Sequence, residues 1–161
     1  MSGPRHLAQL NIARPRAALD SPVMADFMAN LDRINGLGDA SPGFVWRLQD
    51  EDGNATALDQ PFGPDIIVNL TVWRDVESLR AFAFRGEHVS FLRRRGEWFD
   101  KLAGPPTVLW WIPADVRPSL GEAKERLDRL IREGPSPAAF TFARAYRPDG
   151  SPARRADQDA A

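Results

Sequence analysis

The sequence predicts an α+β domain in which an antiparallel sheet carries its main helices on one face. Three observations lead there. Four runs read as strands: 6–13 by its alternation, and 44–48, 65–73 and 107–112 by their β-branched and aromatic residues. Segments with helical spacing of apolar residues lie after the first and third runs, and a hairpin-like turn joins the second to the third. The resulting order, β-α-β-β-α-β, is the split βαβ arrangement of ferredoxin-like topology. With 161 residues the chain fits one domain, assigned to 1–146, followed by a Pro-, Gly-, Arg-, Asp- and Ala-rich tail at 147–161 that reads as disordered.

Each element has its own signal. His6–Ala13 alternates, with Leu10 and Ile12 on one parity and Gln9 and Asn11 on the other. Ser21 and Pro22 suit the cap and first position of a helix that runs through Val23, Phe27, Leu31 and Ile34 and stops at Gly36 and Gly38. Pro42 and Gly43 lead into the strand Phe44–Leu48, and the segment Asp50–Asn54 is turn chemistry. After the third strand, Asp75 caps a helix carrying Val76, Leu79 and Phe82, and the chain bends near Gly86 into a second helical piece from His88 to Phe99. Thr107–Ile112 is the fourth strand. Ser119-Leu-Gly-Glu122 is a capping box for an extra helix with the stripe Leu120, Ala123, Leu127, Leu130 and Ile131, ended by Gly134. Residues 138–145 add a short edge strand.

Composition removes several function classes. The chain has no cysteine, which excludes thiolate catalysis, disulfides and cysteine-ligated metal. Its formal net charge of −1 gives no overall attraction to nucleic acid or anionic lipid. The two histidines, His6 and His88, are far apart, and no HExxH, Walker or GxGxxG pattern occurs. No stretch is long and apolar enough to span a bilayer and the N-terminus lacks a signal-peptide core, so a cytoplasmic protein without membrane or nucleic-acid partners is expected. Trp46, Trp73, Trp110 and Trp111 put large apolar groups on both parities of the sheet. The second face therefore needs cover, from a second copy in a homodimer or from an extra helix of the same chain.

Two segments carry candidate chemistry. On the third strand Asn69, Thr71 and Trp73 share one parity, opposite the plain core positions Ile66, Val68, Leu70 and Val72. An amide, a hydroxyl and an indole in an apolar wall suit a ligand cavity; an edge or interface satisfied by backbone is the plainer alternative. On the piece after Gly86, helical spacing gathers His88, Phe91, Leu92, Arg95 and Phe99, with Trp98 at the margin. There His88 is placed to move a proton of a bound phenol or enol, and Arg95 to hold the oxyanion. The plainer alternative is a packing histidine and an arginine that snorkels to a carboxylate. Trp46, Trp98 and Trp110 are further candidates for the wall, together with Asn11 on the first strand.

The segments Leu7-Ala-Gln-Leu-Asn11, Ser41-Pro-Gly-Phe-Val-Trp-Arg-Leu48, Val68-Asn-Leu-Thr-Val-Trp73, Arg94-Arg95 with Glu97-Trp98-Phe99, and Leu109-Trp-Trp-Ile-Pro113 resemble an uncharacterised bacterial family, DUF3291. That family looks like part of the dimeric α/β-barrel superfamily, beside the antibiotic biosynthesis monooxygenases. The resemblance implies a dimeric barrel and a small-molecule enzyme, a cofactor-free monooxygenase or cyclase acting on an aromatic or polyketide-like substrate. Those monooxygenases use an Asn and a Trp four residues apart on the third strand, a spacing that Asn69 and Trp73 match, and relatives often place a histidine where His88 stands. No cofactor is implied in that case. The alternatives are a non-catalytic ligand-binding dimer and a haem-binding protein with His88 as axial ligand.

Overall fold

A computed structural model describes residues 3–49, 61–63, 65–84 and 88–153. The strands are β1 (Arg5–Pro15), β2 (Phe44–Arg47), β3 (Ile67–Trp73), β4 (Phe99–Asp100) and β5 (Thr107–Pro113). The helices are α1 (Ala25–Asp39), α2 (Val76–Phe84), α3 (His88–Arg93), α4 (Arg95–Trp98) and α5 (Leu120–Glu133). All pairings are antiparallel. β1 is central, bonded along one edge to β3 (Leu7↔Trp73 to Ala13↔Ile67) and along the other to β5 (Arg5↔Pro113 to Asn11↔Thr107), with β4 continuing that edge at Arg14 and Pro15. β2 pairs β3 on the outside, which gives the order β2-β3-β1-β5 expected of the ferredoxin-like arrangement.

Parity then sorts the side chains. Ala8, Leu10, Val68, Leu70, Val72, Val108, Trp110 and Ile112 form one buried face, and Ala123, Leu127 and Leu130 of α5 pack on it. Leu7, Trp73 and Leu109 lie on the opposite face, under Val76 and Leu79 of α2 and under Phe140 and Ala145. Here α1 packs beside α2, with the buried Gly38 next to the Phe82 ring. The second apolar face thus packs against α5 of the same chain, one of the two covers expected for it.

Some expected boundaries move. Gly36 and Gly38 do not stop α1, which continues to Asp39 with Gly38 buried beside Phe82. Ser21 and Pro22 open a single 3-10 turn, Pro22–Met24, and the Ser21 hydroxyl makes no cap bond. The helix expected from His88 to Phe99 breaks at Arg94 into α3 and α4, then turns into β4 because β1 runs long enough to pair Phe99 and Asp100. The edge strand shrinks to one bridge, in which Phe140 and Leu109 exchange both backbone bonds at 2.8 Å. The start of the expected tail, 147–153, is held in place: Arg147 N–H donates to Ser151, Gly150 N–H to Arg147, and Ala153 N–H to Ala145. Asp149 accepts from the Ser151 amide and hydroxyl, so the Pro-Gly composition encodes a closed turn there. The turn expected at 50–54 and the bend near Gly86 lie outside the described residues.

Other signals hold in detail. The Ser119 hydroxyl accepts from Glu122 N–H at 3.0 Å, and Gly134 ends α5 with φ of 78°. Asp75 caps α2, accepting from the Ser78 amide at 2.8 Å and its hydroxyl at 2.6 Å. Burial works against the charge of Asp75. The bonds from Ser78 and the neighbouring Arg74 outweigh it, and the carboxyl lies below its ordinary range. Gly43 enters β2 with φ of 84°, its carbonyl accepts from Arg74 N–H, and a Cβ at this position would overlap the Ser78 side chain.

Two outcomes follow. Gly43→Ala is expected to cost at least about 1–3 kcal/mol, from the left-handed backbone and the collision with Ser78, measured by urea unfolding. Asp75→Ala should cost about 1 kcal/mol near neutral pH through loss of the cap. Because the folded carboxyl titrates below the unfolded value of about 3.9, the contribution is complete above that pH and disappears as pH falls through the folded value. Unfolding midpoints of the two proteins should therefore converge in acid.

Candidate functional site

The face of the sheet that carries α2 is apolar at one end and polar at the other. Along β1 the face reads Leu7, Gln9, Asn11; along β3, Trp73, Thr71, Asn69; along β5, Trp111, Leu109, Thr107. The register sets Gln9 opposite Thr71 and Asn11 between Asn69 and Thr107. Residues that stand directly opposite in an antiparallel pair bring their Cβ atoms to about 4.5–5.5 Å, so Asn11 and Asn69 form a side-by-side amide pair.

The inner part of this tract is a closed relay. Trp73 is buried, stacked on Phe82 with centroids 5.4 Å apart and met edge-on by Phe44. Its indole N–H donates to the Thr71 hydroxyl at 2.9 Å, and that hydroxyl donates to the Gln9 side-chain oxygen at 2.7 Å. Gln9 and Thr71 are buried as well. The outer part is open. Asn11 Oδ1 accepts from the Thr107 hydroxyl at 2.8 Å, while its NH2 group donates to no described residue. Asn69 is half-buried, and among the described residues its side chain makes no hydrogen bond. An amide pair with unspent donors and acceptors, on a face otherwise packed with aromatic rings, is a recognition element for a ligand with a polar edge and an apolar body.

Past Asn11 on the same strand lies a second aromatic group. Trp98 is buried; Phe27 of α1 meets it at 5.6 Å and Phe91 of α3 stacks on it at 5.9 Å. Phe99 meets Phe27 edge-on at 5.0 Å. The chain fixes this group to β1 through the Arg16 N–H, which donates to the Trp98 carbonyl at 2.7 Å. The Arg94 guanidinium lies 4.6 Å from the Trp98 ring centroid and bonds Glu97 at 2.9 Å and Asp26 at 2.8 Å. Those bonds, to Glu97 first and then Asp26, raise Arg94 further above its ordinary value, and the bond from Arg94 lowers Glu97. Arg94 thus clamps α4 to α1 over the indole.

The sequence-derived candidates divide accordingly. Asn69, Trp73 and Asn11 share the tract; Phe91 and Trp98 belong to the aromatic group beside it. Trp46 and Trp110 do not join them. A bulge between Phe44 and Trp46 shifts the register, so Trp46 pairs with Val72 and packs on the other face, under α5. Trp110 pairs with Ala8 and is wholly buried in that same core. Arg95 is exposed because the helix breaks just before it, and its side chain makes no ion pair among the described residues. His88 opens α3, and its side chain lies outside the described residues. Gln9 and Thr107 are partners that the sequence alone did not single out; a lone polar residue at the matching parity of β1 and of β5 is the signal that marks them. Among the described residues no group of three metal-ligating side chains occurs, and no helix is long and apolar enough to cross a membrane.

The family model described as "Domain of unknown function (DUF3291)" matches residues 6–156. The chain belongs to this family. No curated protein matches this DUF3291 chain. Among solved structures it is similar to SnoaB, a cofactor-independent oxygenase from Streptomyces nogalater, with 16% identity over 71% of this chain and 96% of that one and a TM-score of 0.42. A conserved protein from Methanosarcina mazei Go1 shows 14% identity over 68% and 92% of the two chains, with a TM-score of 0.47. A protein of unknown function from Nitrosomonas europaea shows 11% identity over 72% and 95%, with a TM-score of 0.45.

The relay predicts a stability cost in this DUF3291 chain. Thr71→Val leaves the Trp73 N–H and the Gln9 oxygen buried without partners and should cost about 2–4 kcal/mol in chemical denaturation. Thr71→Ser, which keeps the hydroxyl, should recover most of it.

Proposed function

We propose that this DUF3291 chain is a small-molecule enzyme of cofactor-free monooxygenase or cyclase type, acting on an aromatic or polyketide-like substrate. The observation that carries the reading is the half-buried Asn11–Asn69 amide pair, with unspent hydrogen-bonding capacity, set between the Gln9–Thr71–Trp73 relay and the Trp98 aromatic group. The spacing of Asn69 and Trp73 on β3, which resembles that of the cofactor-free monooxygenases, supports it.

In this reading the neutral amides donate to the oxygen of a phenol or enol. Neutral donors stabilise its anion as charge develops, where a fixed cation would bind the anion already at rest. The Thr71 relay keeps Trp73 rigid, so the ring of the substrate meets a fixed wall. The role of His88 is to take the phenolic proton. The electron-rich anion then reduces dioxygen: a phenol with a free para position and one O2 give one quinone and one water. One oxygen atom enters the ring and the other leaves with the displaced hydrogens.

The test is oxygen uptake with a panel of naphthols and tricyclic phenols, with quinone formation followed by absorbance. Asn69→Ala should slow turnover by about 10²–10³-fold, the usual loss for one oxyanion donor. Its melting temperature should stay near that of the unaltered protein, because the Asn69 side chain bonds no described residue. Saturable binding of a phenol without oxygen uptake or cyclised product would replace the enzyme reading with that of a binding protein. A panel that neither binds nor reacts would remove both.

A further inference from the structure

A concavity lies at the far end of the sheet from Asn11 and Asn69. It is a groove of about 250 Å³ between the start of β1, the end of β5, the first turn of α2 and the C-terminal turn. Its floor is aromatic, formed by Trp111 and Tyr146. The Trp111 indole N–H is already spent on the Tyr146 carbonyl at 2.8 Å, so Trp111 offers a ligand only its ring. The walls carry three guanidinium groups, Arg5, Arg74 and Arg147, against two carboxylates, Asp75 and Glu77.

The charges are not equivalent. Asp75 is occupied by both Ser78 donors and by Arg74 at 3.3 Å. Arg5 is half-buried, and among the described residues its side chain makes no ion pair or hydrogen bond. An arginine that lines the same groove as aromatic residues, without a carboxylate partner among the described residues, presents a planar two-pronged donor to whatever enters. Arg74 is held by Asp75 and Arg147 lies beside Asp149, so Arg5 supplies the positive charge for a ligand, which suits a monoanion.

We infer that this groove is a second small-molecule site, and that it takes an aromatic monocarboxylate, with its carboxylate on Arg5 and its ring on Trp111 and Tyr146. The site is separate from the amide tract. Leu7 and Leu109, both fully buried, lie between Trp111 and the polar residues of that tract. Its outer wall is the ordered turn that follows Ala145.

The probe is 2-naphthoate, with 2-naphthalenemethanol as its uncharged counterpart. Binding to the full chain is followed by NMR at the Trp111 indole N–H, a signal identified with Trp111→Phe. Naphthoate should shift that signal saturably, and the alcohol should bind at least about ten-fold more weakly. Arg5→Met should weaken naphthoate by a similar factor and Arg5→Lys by less. On the unaltered protein, added salt should weaken naphthoate and leave the alcohol unchanged, a reading that stands even where Arg5→Met fails to fold. Asn69→Ala should leave the Trp111 response as it is. The inference is overturned by a Trp111 signal that naphthoate does not move, or by equal binding of acid and alcohol. Displacement by inorganic phosphate at equal concentration would overturn the carboxylate assignment, and loss of the response in Asn69→Ala would overturn the separation of the two sites.

Discussion

A strand hydrogen-bonded along both edges cannot slip by one residue without turning every side chain to the other face, and β1 is in that position throughout Leu7–Asn11. Its even residues, Ala8 and Leu10, enter the core under α5; its odd residues, Leu7, Gln9 and Asn11, enter the face under α2. The two amides and the relay exist only because this register holds. Both flanking strands read their parity from β1, so Thr71 finds Gln9 and Thr107 finds Asn11 across separate ladders. The polar tract is in this sense a property of the strand pairing as much as of the individual residues.

Polar groups on an inner sheet face are costly unless each finds a partner. Gln9 and Thr71 meet that condition within the chain, and the indole of Trp73 completes it. Asn11 and Asn69 meet it only in part and lie where burial is incomplete. On the other face Trp110 has its indole N–H buried without a partner among the described residues, inside an apolar core. Size and apolar surface keep that ring in place, at the expense of one hydrogen bond.

Much of the fold was legible because its signals are local. The Ser119 box, the Asp75 cap, the Gly134 stop and the alternation of β1 and β3 need only a few neighbouring residues to be read. The misreadings share a different cause, since each depended on a partner distant in sequence. Trp46 follows the parity of Phe44 until a bulge against β3 reverses it. Helical spacing from His88 to Phe99 is real, but β1 extends to Pro15 and draws Phe99 into a ladder, which breaks the helix and leaves Arg95 outside. Gly38 looks like a helix stop until Phe82 is seen beside it. Of the site, the polar parity of Asn69, Thr71 and Trp73 was legible, whereas Thr107 became visible only with the β1–β5 register.

The cluster beneath α2 joins Leu7, near the beginning of the chain, to Phe140 and Ala145, near its end. During synthesis that half of the core stays open until the residues through Ala145 have left the ribosome. The polar tract shares its face with this half, so the amides cannot be locked in place early. Loop-closure entropy across such separations slows the final step. A nascent chain halted after α5 would carry Leu7 and Trp111 without their cover, an apolar surface open to chaperones and to other nascent chains.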